Sequence, residues 1–168
     1  MRVAASITPA NAGIIALGTI VDCTEAEWDR VIDVNHRGVW RCLKYEIPQM
    51  VAQGGGAIVN TASIAGIKST AGAAAYSARK HGVISLTKSA TRQYASARVN
   101  AVCPGSLETP MTDFIFAEDL GSKEQAIAGY PTGRFGTPDE IAAVLWLCSD
   151  AASFVTGHPL VADSGRLL

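Results

Sequence analysis

Apolar positions along the chain fall into four short runs separated by longer stretches with helical spacing. Ala57-Ile58-Val59-Asn60-Thr61, behind the Gly54-Gly55-Gly56 turn, has the length and composition of a buried strand. Val99-Asn100-Ala101-Val102-Cys103 repeats that pattern and stops at Pro104-Gly105, and Leu160-Val161-Ala162 supplies a last strand. Residues 3–8 predict a first strand, a poor one because of its alanines and Pro9. Between these runs the period changes. Thr24 and Glu27 form a capping box that opens a helix carrying Trp28, Val31, Ile32, Val39, Leu43 and Ile47 at amphipathic spacing. Pro48 and the three glycines mark its ending region. A second helix holds Tyr76 and Lys80 and reaches roughly Tyr94. Thr137-Pro138-Asp139-Glu140 combines a threonine cap, a proline at the first helical position and a glutamate at the third, ahead of Ile141, Val144, Leu145 and Leu147. Residues 109–130 predict short helices. Strands alternating with helices imply an α/β fold, a doubly wound parallel sheet of about four strands with helices on both faces.

The bulk numbers narrow the class. At 168 residues the chain is expected to form one domain, 1–168, with a proper core. Its formal net charge of -1, without a basic run, points away from nucleic acid and from anionic membrane surfaces. No segment approaches the ~20 apolar residues of a membrane span, and the first residues lack a secretory apolar core. Cys23, Cys42, Cys103 and Cys148 show no paired spacing and read as reduced, mostly buried thiols of a cytoplasmic protein. His36, His81 and His158 lack ligand-like spacing, so no metal site is expected.

The candidate chemistry sits at Ser63, Tyr76 and Lys80. Ser63 lies where the Ala57 strand should end. Tyr76 and Lys80 are four apart, so their side chains leave the same helix face as neighbours. A phenol ionises near ~10, too high for base work at neutral pH, and a nearby ammonium favours the phenolate. A serine hydroxyl delivered from the strand end could hydrogen-bond a carbonyl or alcohol oxygen. Together they describe a proton-transfer site.

Ser63 followed by Tyr76-x-x-x-Lys80 resembles the catalytic segment of the short-chain dehydrogenase/reductase family. Asn11-Ala12-Gly13 resembles that family's Asn-Ala-Gly motif, and Asn35 in Val34-Asn35-His36-Arg37-Gly38 its active-site asparagine. Pro104-Gly105-Ser-Leu-Glu-Thr109-Pro110 is similar to the loop that closes over the nicotinamide. Phe154-Val-Thr-Gly157 with Val161-Ala-Asp163-Ser-Gly165 is similar to its last strand. The resemblance implies a Rossmann-like fold and an NAD- or NADP-dependent oxidoreductase that interconverts a secondary alcohol and a ketone by hydride transfer. It implies Tyr76 as acid/base, Lys80 as the cation that lowers its pKa and binds the nicotinamide ribose, and Ser63 as orienter of the substrate oxygen. Asn35 is implied to hold a water in a proton relay, or to bridge a helix kink as a structural amide. Asn11, Ala12 and Gly13 are placed beside the cofactor's adenosine side, or make a turn. Pro104, Gly105 and Thr109 touch the nicotinamide, or form an ordinary strand exit. Residues 109–130 correspond to a substrate lid, with Phe114, Ile115, Phe116 and Leu120 as an apolar wall. The partners implied are a small-molecule alcohol or ketone and further copies of the chain, in a dimer or tetramer. His81 and Arg79 read as solvated helix residues, and Trp28, Trp40 and Trp146 as core or interface.

The family's glycine-rich turn, Thr-Gly-x-x-x-Gly-x-Gly, is not in the sequence, nor is G-x-G-x-x-G; Gly54-Gly55-Gly56 precedes a strand instead of following one. The resemblance is therefore to an N-terminally truncated Rossmann-like domain. It carries the expectation of weak or absent cofactor binding and turnover by the chain as it stands. The alternative expectation is a non-catalytic remnant that serves as an oligomeric or interaction module.

Overall fold

The computed structural model describes residues 13–117 and 122–168. The expected strand at 3–8 and the expected site residues Asn11 and Ala12 lie outside the described residues, as does Leu120 of the expected pocket wall.

Three parallel strands form the sheet in the order β1 (Gly56–Thr61), β2 (Ala97–Pro104), β3 (Pro159–Ala162). Gly56 pairs with Ala97 and Thr61 with Val102, and Ala101 pairs with Pro159 on the other side of β2. Strand alternation divides the apolar side chains between two faces. Ile58, Val99, Ala101 and Cys103 point to one face, where Val39, Leu43, Ile47, Met50, Val83 and Ile84 of two helices cover them. Ala57, Val59 and Val102 point to the other, where they meet Leu147, Cys148 and Ala152. The sheet is therefore buried on both sides, the arrangement that alternating strands and helices require.

The helices follow local signals closely at their starts. The Thr24 cap and its reciprocal bond with Glu27 open α1 (Glu25–Ile32). The chain then passes through a wide π-helical turn, Asp33–Arg37, into α2 (Gly38–Ala52). The single amphipathic helix expected from the sequence is thus one path with a widened turn in the middle, and it ends at Ala52, between Pro48 in its last turns and the three glycines. Ser63 caps a short 3₁₀ turn, Ile64–Gly66, and α3 (Ala74–Gln93) follows. Two short helices, α4 (Pro110–Ala117) and α5 (Lys123–Ala128), occupy the expected lid. After α6 (Pro138–Ala142) the backbone tightens into a 3₁₀ turn, Ala143–Cys148, where the sequence predicts continued α-helix.

Arg98 explains what holds that tightened segment. Its Nη1 donates to the carbonyls of Leu147 at 2.6 Å and Ala152 at 3.1 Å, and its Nη2 to those of Cys148 at 3.4 Å and Ser149 at 3.1 Å. One guanidinium thus bridges four carbonyls of this turn, two of which, Ser149 and Ala152, also accept backbone N–H bonds. Among the described residues no helix is long and apolar enough to cross a membrane. Trp28, Trp40 and Trp146 are exposed, which corrects the core half of the expectation that they are core or interface. Of the four thiols, Cys103 and Cys148 are buried and Cys23 and Cys42 half-buried, all free.

Candidate active site

Parallel strands end on the same edge of the sheet, and β1 delivers the site there. Thr61 closes β1, Ala62 donates its N–H to the Val102 carbonyl at 2.8 Å, and Ser63 turns the chain into the 3₁₀ turn. The Ser63 Oγ accepts the Ala65 N–H at 3.1 Å, which fixes the hydroxyl at the strand exit with its own proton still available to donate. This turn sits hard against α3. A side chain at Gly66 would place its Cβ 2.6 Å from the Lys80 carbonyl oxygen, so only glycine permits the approach.

Tyr76 and Lys80 share a face of α3, as their spacing predicts. The Lys80 Nζ lies 5.6 Å from the centroid of the Tyr76 ring and donates to the Thr61 carbonyl at 2.8 Å. Lys80 is only 7% exposed. Burial pushes its ammonium down to about 7, the Arg79 charge adds to the effect, and Cys103 opposes it. Cys103, fully buried at the end of β2, accepts a hydrogen bond from the Ser63 backbone, and burial pushes its thiol up to about 11. Lys80 thus links the end of β1, one residue past which Ala62 leads into Ser63, to the Tyr76 ring on α3.

Asn35 sits in the π-helical turn and is 1% exposed. The wide turn carries one extra residue per hydrogen-bonded loop, which rotates the amide inward; such insertions recur at functional sites. Its Oδ1 accepts the Ile14 N–H at 3.0 Å and its Nδ2 donates to the Ile14 carbonyl at 3.0 Å. The amide thus ties the turn between α1 and α2 to the backbone of Ile14, a distant segment and not the two sides of a helix kink. The same segment is pinned to the start of α3 where the Gly18 N–H donates to the Gly72 carbonyl at 2.9 Å.

Arg79 is the residue that sequence reasoning missed. It was expected to be solvated and is 2% exposed, a correction forced by the space beside Gly13. A Cβ at Gly13 would stand 3.3 Å from Arg79 Nη2 and 3.5 Å from Asn35 Oδ1, so the absence of a side chain there makes room for the guanidinium. The Arg79 Cζ lies 4.4 Å from the centroid of the Tyr76 ring, closer than the Lys80 ammonium. The available signal was the glycine of Asn11-Ala12-Gly13, whose neighbour only the tertiary fold reveals.

Pro104 ends β2, and the Gly105 N–H donates to the Ala162 carbonyl at 3.0 Å, joining β3. A Cβ at Gly105 would lie 3.0 Å from Tyr130 and 3.1 Å from the Asp163 backbone, so packing alone accounts for this glycine. Thr109 caps α4, its carbonyl receiving the Asp113 N–H at 3.1 Å. Beyond it, Phe116 stacks on Phe135 at 5.8 Å while Phe114 stays exposed. A cavity of about 200 Å³ opens beside this loop, lined by Gly105, Ser106, Tyr130, Ile141 and Asp163 among others. Among the described residues, no group of three or more His, Cys, Asp or Glu stands where it could hold a metal ion. His81 is exposed, with Nδ1 2.9 Å from the Ser77 carbonyl oxygen.

A parallel sheet covered on both faces, with a tyrosine and a buried lysine one helical turn apart beside a strand-end serine, defines a class of dinucleotide-fold proteins. The family model described as enoyl-(acyl carrier protein) reductase matches residues 6–166, and the chain belongs to the short-chain dehydrogenase/reductase family. A 3-oxoacyl-(acyl-carrier-protein) reductase of Thermotoga maritima is 42% identical over 161 residues, covering 94% of this chain and 64% of the relative. A cyclohexanol dehydrogenase of an Acinetobacter species is 44% identical over 158 residues, covering 91% of this chain and 60% of the relative. Among solved structures, an Agrobacterium tumefaciens protein described as a 2-deoxy-D-gluconate 3-dehydrogenase, with bound NADP, superposes with a TM-score of 0.89 at 34% identity. That match covers 96% of this chain and 67% of the other. The chain therefore spans somewhat less than two thirds of the length of these curated relatives.

Proposed function

We propose that the chain carries the proton-transfer half of an NAD- or NADP-dependent oxidoreductase that interconverts a secondary alcohol and a ketone. The observation that carries this reading is the placement of Lys80, a buried ammonium tied to the end of β1 and adjacent to the Tyr76 ring. The Tyr76 Oη gives its proton to a carbonyl oxygen in reduction and takes the hydroxyl proton in oxidation. The Ser63 Oγ, held by its bond to Ala65, donates to the same substrate oxygen. Lys80 supports the phenolate by its charge. Of its three N–H bonds one goes to Thr61, which leaves donors for the hydroxyls of a nicotinamide ribose, so the donor set suits the cofactor. The cofactor supplies or accepts the hydride, and the protein supplies orientation and the proton. In this reading Pro104, Gly105 and Thr109 would border the nicotinamide, Gly13 would lie towards the cofactor's adenosine side, and residues 109–130 would form the substrate lid of a single domain. The relatives named above suggest the substrate panel, a 3-oxoacyl thioester and a cyclic secondary alcohol.

A second reading has its own observation. Trp28, Trp40 and Trp146 are exposed large apolar side chains, which favours an oligomeric or interaction module without turnover. Calorimetric titration of the purified chain with NADH and NADPH, followed by a turnover assay with the two substrate types, separates them. The first reading expects saturable binding of one nucleotide and turnover that Tyr76→Phe abolishes while binding persists. A folded chain that binds neither nucleotide and turns over neither substrate favours the second.

A further inference from the structure

Two cations, not one, crowd the Tyr76 phenol. The second belongs to Arg79, whose neighbours are unusual for a guanidinium. It is almost completely buried, its Cζ stands over the Tyr76 ring at 4.4 Å, and no carboxylate among the described residues pairs with it. Its buried Nε has no hydrogen-bond partner. Gly13 and the Asn35 amide wall it in from the side opposite α3. Charges are seldom buried without a counter-charge, because desolvation is too costly. Among the described residues the side chain whose negative charge would act on Arg79 is Tyr76, which becomes negative in the proton transfer assigned to it.

We infer that Arg79 is a positioning residue for Tyr76, stacking on its ring and supplying the positive charge that stabilises the phenolate while the proton is away. The inference rests on the proposed role of Tyr76 as acid/base. Three features support Arg79 over Lys80 as the persistent charge. The guanidinium is closer to the ring. Its attraction to Tyr76 opposes the burial that pulls it down to about 10, whereas the Lys80 ammonium is pulled down to about 7. A planar guanidinium also keeps contact with a ring face when a ligand draws the lysine away.

The test reads phenolate directly and needs no turnover. Tetranitromethane nitrates tyrosine through its phenolate, and peptide mass spectrometry gives the rate at each tyrosine separately. At mildly alkaline pH, Arg79→Met is expected to slow nitration of Tyr76 by about five-fold while leaving Tyr45 unchanged, with Arg79→Lys falling between. If Arg79 merely shields the ring, its removal exposes Tyr76 and nitration accelerates; that result, or an unchanged rate, overturns the inference. Should Arg79→Met fail to fold by circular dichroism, Arg79→Gln and the charge-retaining Arg79→Lys carry the comparison. The unaltered chain gives a separate check, since Tyr76 should nitrate ahead of the far more exposed Tyr45. Slowed nitration in a chain that lacks turnover would sink the catalytic reading and leave the Arg79–Tyr76 pairing standing.

Discussion

Asn35 offers a way to separate a structural amide from a purely catalytic one. Its side chain closes two hydrogen bonds of 3.0 Å onto the backbone of Ile14, one donated and one accepted. Asn35→Ala leaves a backbone donor and a backbone acceptor without partners at a site where the side chain was 1% exposed. Each such loss costs about 1–3 kcal/mol, so the substitution is expected to remove roughly 2–6 kcal/mol, a large share of a domain's stability. Asn35→Asp sharpens the test. The ionised carboxylate accepts the Ile14 N–H but confronts the Ile14 carbonyl oxygen, whereas the protonated acid restores both bonds. That carbonyl oxygen and burial raise the folded-state pKa of the acid above the ordinary ~3.9, and the Arg79 guanidinium across Gly13 offsets part of the rise. Between the two values the folded chain binds more protons than the unfolded chain, so stability falls as pH rises through that window. Urea unfolding followed by tryptophan fluorescence, at about pH 4.5 and about pH 7.5, measures both effects. The deficit of Asn35→Asp relative to the unaltered chain should be larger at the higher pH by about 1 kcal/mol or more, and that of Asn35→Ala should not change. A loss under about 0.5 kcal/mol in Asn35→Ala, or a pH-independent deficit in Asn35→Asp, would refute the bridging account.

Three further outcomes follow from the described geometry. Lys80 is held at about 7 against an ordinary 10.5, so between these values the unfolded chain binds the extra proton. The unaltered chain should accordingly gain stability relative to Lys80→Met as pH rises from about 7 to about 9.5, and a flat difference in urea unfolding would contradict the burial of the charge. Arg98→Met removes a guanidinium shared by four carbonyls and is expected to cost about 2–4 kcal/mol in chemical denaturation, with Arg98→Lys recovering only part because an ammonium cannot span them. Gly82→Ala would place a methyl 2.3 Å from Cε1 of His36, so it should destabilise by about 1–3 kcal/mol. The same substitution in a His36→Ala background should be nearly neutral; an additive double mutant would show that the two helices do not meet there.

The sequence exposed those features whose causes are local. The Thr24–Glu27 capping box is present, and Glu140 reaches back to the Thr137 N–H at 2.8 Å as that spacing implies. β1 and β2 were legible because a strand covered on both faces needs an unbroken apolar run. Tyr76 and Lys80 were legible because four residues make one helical turn. What escaped was set by partners distant in the chain. Nothing near Asp33–Arg37 announces a π-helical turn; the Ile14 backbone, far away, gives Asn35 its reason to turn inward. A charge beside a charge is usually solvated, and it is Gly13 on another segment that creates the recess for Arg79. The exposed tryptophans have the opposite history, since amphipathic spacing put Trp28 on a face that this chain by itself leaves open.

The sheet also sets an order of events during synthesis. β2 lies in the centre, with Gly56 paired to Ala97 and Ala101 to Pro159, so each ladder joins segments far apart in the chain. At translation rates of about 5–20 residues per second, β2 leaves the ribosome several seconds before β3. During that interval one edge of β2 offers unpaired backbone groups, and Val59 and Val102 lack the Leu147 and Ala152 that later cover them. Neighbouring nascent chains on one message could pair across that edge. Yield of folded protein should therefore depend on how quickly residues 105–158 are translated, and slow codons there would favour aggregates without changing a single residue.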